Sequence, residues 1–301
     1  MISPSRPEWL KVRPPGGETY AELKGSLREL KLHTVCEEAH CPNVSECWES
    51  GTATIMLLGD LCTRGCRFCA VKTGNPAGIV DEAEPERVAE AVARWGLNYV
   101  VLTMVNRDDL KDGGADIVAR TVEALHRLDT DLLVEVLVGD FQGNEAAIGR
   151  VLDAEPDVFA HNVETVGRLT LSVRDRRATF EQSLAVLKAA KRIAPEMLTK
   201  SSIMLGLGET DEELRGVMRA LREAGVDIVT LGQYLRPSPW HLEVASYVSP
   251  GRFDAWKAEA YDLGFRYCAA GPLVRSSYRA GEAFIEGLLR SRRQAMARGG
   301  R

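Results

Sequence analysis

Six of the seven cysteines fall between Cys36 and Cys69, and that density points to metal or cluster ligation rather than to packing. The later three form the run Cys62-Thr63-Arg64-Gly65-Cys66-Arg67-Phe68-Cys69, a C-x3-C-x2-C spacing with an aromatic residue before the third thiol. Three thiolates in one tight loop hold three irons of a four-iron cluster and leave the fourth iron open to a small molecule. A zinc knuckle wants four ligands, usually from paired C-x2-C halves, and this run offers three. The earlier three, Cys36, Cys41 and Cys47, are spaced C-x4-C-x5-C and end fifteen residues before the second set. They too are one ligand short, and His40 inside the set is one residue type that fits the vacancy. The odd cysteine count and the size of the chain do not suit a disulfide framework. Cys268 stands apart and reads as a small buried residue.

Loops of this kind need elements to carry them. Thr54 to Leu61 is a short apolar run of strand type, and the second cysteine run follows it directly. Parallel α/β proteins place their sites at that end of their strands. Further strands are predicted at 99–105, 132–138, 158–163, 199–205 and 228–234, and helices at 85–95, 117–128, 144–154, 180–193 and 212–224. Strand and helix alternate, so the sheet is parallel. Six strands fall short of the eight of a closed barrel. The predicted fold is therefore an α/β partial (β/α)6 barrel over 51–250, with an N-terminal extension over 1–50 and a C-terminal one over 251–301. An open doubly wound sheet is the alternative.

Composition excludes several classes. The chain has 301 residues, 45% of them hydrophobic and 27% charged, which is ordinary for a globular protein with a sizeable core. Its net charge of -5 does not suit a polyanion binder, so no nucleic acid is expected. No apolar run is long enough to span a bilayer, and the first residues carry no secretory h-region, so a cytoplasmic location is expected and no membrane partner. The final twelve residues, 290–301, hold five arginines and no acid. They read as a solvated tail or as a docking patch for an acidic partner.

The C-x3-C-x2-C run strongly resembles that of the radical S-adenosylmethionine (SAM) superfamily. With the earlier cysteine set before it, the whole stretch from His33 to Pro76 resembles the signature of the lipoyl synthase family. Further blocks similar to that family follow in its order: Asn106 to Leu110, Asp112-Gly113-Gly114, His161 to Thr165, Met204 to Glu209, Gln233 to Pro237, and Arg275-Ser276-Ser277-Tyr278. The resemblance covers roughly residues 8 to 285.

The resemblance implies two [4Fe-4S] clusters and SAM. Cys62, Cys66 and Cys69 then hold the cluster whose open iron takes the methionyl amine and carboxylate of SAM. Cys36, Cys41 and Cys47 hold an auxiliary cluster with a serine as fourth ligand, Ser276 or Ser277, of which Ser277 is favoured. The reaction implied is radical insertion of two sulfur atoms, at C6 and C8 of an octanoyl chain held on a lysine, with the auxiliary cluster as donor. The implied partners are octanoylated lipoyl carrier domains (2-oxoacid dehydrogenase E2 or glycine cleavage H protein), an electron donor such as ferredoxin or flavodoxin, and a carrier that rebuilds the cluster. Asn162 and Glu164 alternate at a strand end and are expected to contact SAM. Gly113 and Gly114 read either as a backbone contact to its amine or as a plain turn. Gly206, Gly208 and Glu209 read as a turn, and Arg275 either anchors the last segment or binds a carboxylate. Met104, Asn106, Ser202 and the segment 175–179 depart from the family pattern, and none of them is expected to touch a cluster ligand. The competing readings are another sulfur-inserting radical SAM enzyme, resembling biotin synthase or a methylthiotransferase, and a non-catalytic iron–sulfur protein.

Overall fold

The computed structural model describes residues 6–11, 18–38, 43–49, 52–128, 131–277, 287 and 289. Cys41, His40, Tyr278 and the basic tail lie outside the described residues. In chain order, α1 (Glu18–Glu29), the two-residue β1 (His33–Thr34), α2 (Val35–Glu38) and α3 (Val44–Glu49) precede the first long strand, β2 (Thr52–Leu57). A small ribbon of β3 (Leu61–Cys62) and β4 (Lys72–Thr73) brackets the second cysteine run. Strands and helices then alternate: α4 (Glu84–Trp95), β5 (Tyr99–Met104), α5 (Ala115–Leu128), β6 (Leu133–Leu137), α6 (Glu145–Leu152), β7 (Val158–Ala160), α7 (Gly167–Val173), α8 (Phe180–Ile193), β8 (Leu198–Leu205), α9 (Asp211–Glu223), β9 (Ile228–Gln233), α10 (Pro250–Asp262) and β10 (Tyr267–Gly271).

Eight strands form one ladder in the order β1-β2-β5-β6-β7-β8-β9-β10. Every pairing is parallel except β1 with β2. The two ends of the ladder are β1 and β10, so the sheet is an open, partial barrel as expected. Two details differ from the sequence reading. The first strand ends at Leu57 rather than Leu61, because Leu58 and Gly59 turn the chain left-handed, at φ 68° and 84°. A seventh parallel strand, β10, joins the ladder from the region read as an extension. Its sequence, Tyr-Cys-Ala-Ala-Gly, is short and holds no β-branched residue, so it carries little strand signal.

Helix boundaries follow local chemistry. Thr210 and Glu213 form a reciprocal capping box at the start of α9, Thr179 caps α8, and Gly96 ends α4 in the left-handed region. The strands are buried on both faces. Val100, Leu102, Val134 and Val136 face the helices. The alternate residues Tyr99, Val101, Leu133, Val158, Leu198, Ile228 and Tyr267 pack together inside the barrel at the strands' N-terminal ends. One level up, Lys200 donates to both carboxylate oxygens of Glu135 at 2.8 and 2.9 Å, and the Tyr99 hydroxyl donates to Glu135 at 2.9 Å. The next inward residues, Thr103, Leu137, Ser202 and Gly232, line a cavity. The barrel is thus plugged at one end and open at the other.

Candidate active site

The cavity at the C-terminal ends of the strands has a volume of about 1000 Å³. Cys62, Cys66 and Cys69 line it, and so do Cys36, Ser276 and Ser277. Residues from both cysteine sets and the serine block therefore share one space. Cys47 is half-buried against the core, outside that lining. The buried Asn43 side chain, between the first set's ligands, donates to the Leu273 carbonyl at 2.6 Å. That bond ties the early loop to the segment carrying Ser276 and Ser277, 230 residues further along.

The cluster loop is held by a residue that spacing alone did not single out. Arg64 is 3% exposed and grips two carboxylates bidentately. It donates to Asp108 at 3.0 and 2.8 Å and to Asp140 at 2.6 and 2.6 Å. Asp108 follows β5 and Asp140 follows β6, so one guanidinium fastens the loop to two neighbouring strand ends. Burial opposes these charges, but the hydrogen bonds win: Arg64 is held above its ordinary value and both carboxyls below theirs. Thr63 adds bonds to the Asn106 carbonyl at 2.9 Å and to Asp108 at 2.7 Å. On the other flank the Gly65 amide donates to Asp175 at 3.0 Å, and His241 Nε2 meets the Cys69 carbonyl at 3.0 Å.

Two backbone amides point at the thiols. Arg64 N–H donates to Cys62 Sγ at 3.5 Å, and Asp175 N–H donates to Cys66 Sγ at 3.3 Å. The second bond corrects the expectation that the divergent segment 175–179 leaves the cluster ligands untouched. Met104, Asn106 and Ser202, the other divergent positions, line the cavity. Burial pushes the Cys66 thiol up and the Cys69 thiol up to about 12, so ligation must displace their protons. Among the described residues, the donors whose ligand atoms converge within 4.8 Å are His33, Glu38 and Asp60. The three loop sulfurs do not all lie within that distance of one another, so they are not gathered as closely as one zinc ion would hold them. Spread thiols, amide–sulfur bonds and an adjoining cavity fit an iron–sulfur cluster with an open iron.

Asn162 and Glu164 both line the cavity, and Asn162 Nδ2 donates to Glu164 Oε1 at 3.1 Å. Glu164 holds φ at 67°, a strained position for a residue with a side chain. Burial raises its carboxyl pKa against the pull of Arg174 and Asn162. Arg174 is buried at the cavity wall, bonded to Ser183 Oγ at 2.7 Å, with its Nε unpartnered. His161 bridges the Val138 carbonyl at 2.9 Å and Ser183 Oγ at 3.0 Å. Burial, with Arg174 nearby, lowers its imidazole to about 4.

Gly113 and Gly114 lie off the cavity lining. Both take positive φ at the start of α5, and a Cβ on Gly114 would meet Leu58 Cδ1 at 2.3 Å. Gly206 and Gly208 form a turn whose amides at Gly206 and Leu207 donate to Glu209 at 2.6 and 2.9 Å. Arg275 anchors the last segment through the Gln233 carbonyl at 3.3 Å. Cys268 is fully buried.

The Radical SAM superfamily model matches residues 56–221, and the N-terminal domain of lipoyl synthase of that family matches residues 3–41. A lipoyl synthase of Sorangium cellulosum is 61% identical over 298 residues, covering 94% of this chain and 80% of the relative. One from Thermus thermophilus is 59% identical over 285 residues, covering 95% and 88%. A mitochondrial lipoyl synthase of Eremothecium gossypii is 58% identical over 293 residues, covering 96% and 79%. Among solved structures, methylornithine synthase superposes with a TM-score of 0.56 at 14% identity, covering 72% of this chain and 70% of that one. The hydrogenase maturase HydG of Carboxydothermus hydrogenoformans gives 0.53 at 14% identity, covering 89% and 78%, a likeness of fold alone. With the cluster loop, the shared cavity and relatives this similar over almost the whole length, the chain belongs to the lipoyl synthase family of the radical SAM superfamily.

Proposed function

We propose that this chain inserts two sulfur atoms, at C6 and C8, into an octanoyl chain held on a lysine of a lipoyl carrier domain. The observation that carries the reading is the single cavity of about 1000 Å³ lined by Cys62, Cys66 and Cys69 together with Cys36, Ser276 and Ser277. That volume is at the upper end of ordinary ligand sites, with room for SAM and an acyl arm between two clusters. When bound, the cluster on Cys62, Cys66 and Cys69 supplies one electron that splits SAM into methionine and a deoxyadenosyl radical, and the auxiliary cluster supplies sulfur.

The rest is the protein's own work. Arg64, Asp108 and Asp140 fix the loop so that its thiols keep their spread. Asn162 and Glu164 contact SAM, Glu164 taking an outlying backbone conformation to face the cavity. Cys36, Cys41 and Cys47, with Ser277 as the fourth ligand, hold the auxiliary cluster, and the Asn43–Leu273 bond brings the early and late segments to it. Serine oxygen is a harder ligand than thiolate, which makes that iron the labile one. The apolar plug beneath Glu135 and Lys200 closes the barrel to water from below, protecting a reactive radical. The carriers are octanoylated lipoyl domains of 2-oxoacid dehydrogenase E2 or glycine cleavage H protein, with ferredoxin or flavodoxin as reductant and a separate carrier rebuilding the consumed cluster.

A single anaerobic turnover tests this. Protein with reconstituted clusters receives SAM, dithionite and an octanoyl-lysyl peptide, and the peptide is weighed by mass spectrometry. Two hydrogens replaced by two sulfurs, with no sulfide added, is the expected product. Deoxyadenosine beside an unmodified peptide would refute the substrate, and neither product would refute catalysis.

A further inference from the structure

Cys62, Cys66 and Cys69 line the cavity, so the inner side of their loop belongs to SAM and the acyl arm. The outer side is exposed at Gly65 and Arg67. We propose that this outer face is the docking site for an acidic one-electron carrier protein; the proposal deepens the sulfur-insertion reading and rests on it.

Hydrogen bonds define what surrounds the face. The Arg67 amide donates to the Val173 carbonyl at 2.9 Å and its guanidinium to the Ser172 carbonyl at 3.1 Å. That brings the end of α7, with Leu171 72% exposed, alongside the loop. On the opposite flank the Leu242 amide donates to the Arg67 carbonyl at 3.3 Å, beside the His241 bond to the Cys69 carbonyl, so Trp240 sits there 93% exposed. From a third side, Arg177 donates to the Thr63 carbonyl at 2.6 Å, and its exposed neighbour is Arg176.

Arginines outweigh free carboxylates on this face: Glu243, beside Leu242, is exposed and lies 3.8 Å from Arg236. Asp175 and Asp108 are both engaged by Arg177, at 2.8 and 3.1 Å. Arg67 and Arg176 have no carboxylate partner among the described residues. A basic patch on a chain of net charge -5 is a local device, and it steers an acidic partner to one place. An exposed tryptophan on the same face as exposed arginines has the composition of an interface anchor. The thiols lie directly behind this face, which makes it a short path from solvent to the cluster that leaves the cavity free. In the step itself the carrier is oxidised by one electron and the cluster reduced by one, with no atom or proton exchanged between the proteins.

The test uses holoenzyme, its Arg176→Glu and Trp240→Ala variants, and flavodoxin as the acidic carrier. Affinity for oxidised flavodoxin is measured by calorimetry at low and high salt. Deoxyadenosine formation is then compared with reduced flavodoxin and with dithionite. Each variant is expected to weaken flavodoxin binding roughly tenfold, to slow flavodoxin-driven cleavage, and to leave dithionite-driven cleavage unchanged. Arg176→Lys is expected to retain most of the binding. Unchanged affinity in both variants overturns the proposal. So does a parallel fall with dithionite, which would make these residues part of the loop's own support. A raised KM for the octanoylated carrier with flavodoxin affinity intact gives the face to the acyl carrier and also overturns it. Failure of the sulfur-insertion reading is told apart by wild-type enzyme that forms no deoxyadenosine with dithionite.

Discussion

Exchanging Cys66 for serine and exchanging Cys36 for serine are expected to fail in different ways. Loss of Cys66 removes a ligand of the cluster that cleaves SAM, so deoxyadenosine formation falls by roughly a hundredfold or more, since even outer-shell losses reach that order. Loss of Cys36 strips the other set, so deoxyadenosine still forms while thiolated peptide does not. Quantifying both products in one assay checks the pair, and equal losses of both in Cys36→Ser would contradict the division of labour. His161 is the pH-sensitive residue nearby. Its imidazole sits near 4 because burial disfavours the cation, whereas the unfolded chain takes a proton as pH falls below about 6.5. The stability that neutral His161 contributes is thus complete above pH about 6.5 and lost as pH falls towards 4. His161→Asn removes that slope. Denaturant unfolding at pH 6.5 and 4.5 should show the wild type's advantage shrinking by roughly 2–3 kcal/mol, and a constant gap would refute this assignment. The run of Cys62, Cys66 and Cys69 that lines the cavity was legible from spacing alone, as was the placing of Asn162 with Glu164 at one strand end. Arg64 was not, because its importance lies in Asp108 and Asp140, 44 and 76 residues away.

At the level of elements, the buried Lys200–Glu135 pair joins β8 to β6 through the middle of the barrel. Both side chains are 3% exposed or less. Lys200→Met leaves a buried carboxylate that keeps the Tyr99 hydroxyl but loses its cation, and is expected to cost about 3–5 kcal/mol. Adding Glu135→Leu should recover most of that loss, since two apolar side chains suit the site better than one stranded charge. Urea midpoints of the single and double variants decide it, and additive losses would speak against the pairing. Neither residue stood out in the sequence, where each is a lone charge inside a predicted strand, Lys200 in 199–205 and Glu135 in 132–138. The strands β5, β6, β7 and β9 were legible as apolar runs between turn signals, and β8, Leu-Thr-Lys-Ser-Ser-Ile-Met-Leu, from its apolar end. The strand β10 was not, for its alanines and glycine carry no such pattern and its place is fixed by pairing with β9 and by α10. The short β1 owes its pairing likewise to its neighbour, lying against Ile55 and Met56 of β2.

Across the whole molecule, the open barrel brings early and late segments to one cavity. Among the described residues no helix is long and apolar enough to cross a membrane. The alternation of strand and helix made the parallel sheet legible, whereas the approach of the early cysteine segment to the Ser276–Ser277 segment was expected from the family resemblance alone, since no local pattern records a contact between Asn43 and Leu273. That contact has a consequence for biosynthesis. A ribosome delivers the cysteines up to Cys69 first and the wall carrying Ser277 some two hundred residues later, roughly ten to forty seconds at ordinary elongation rates. Throughout that interval the nascent chain presents six thiols with no finished pocket around them. The oxygen and stray metal that the cell admits during synthesis thereby help decide how many chains ever become competent.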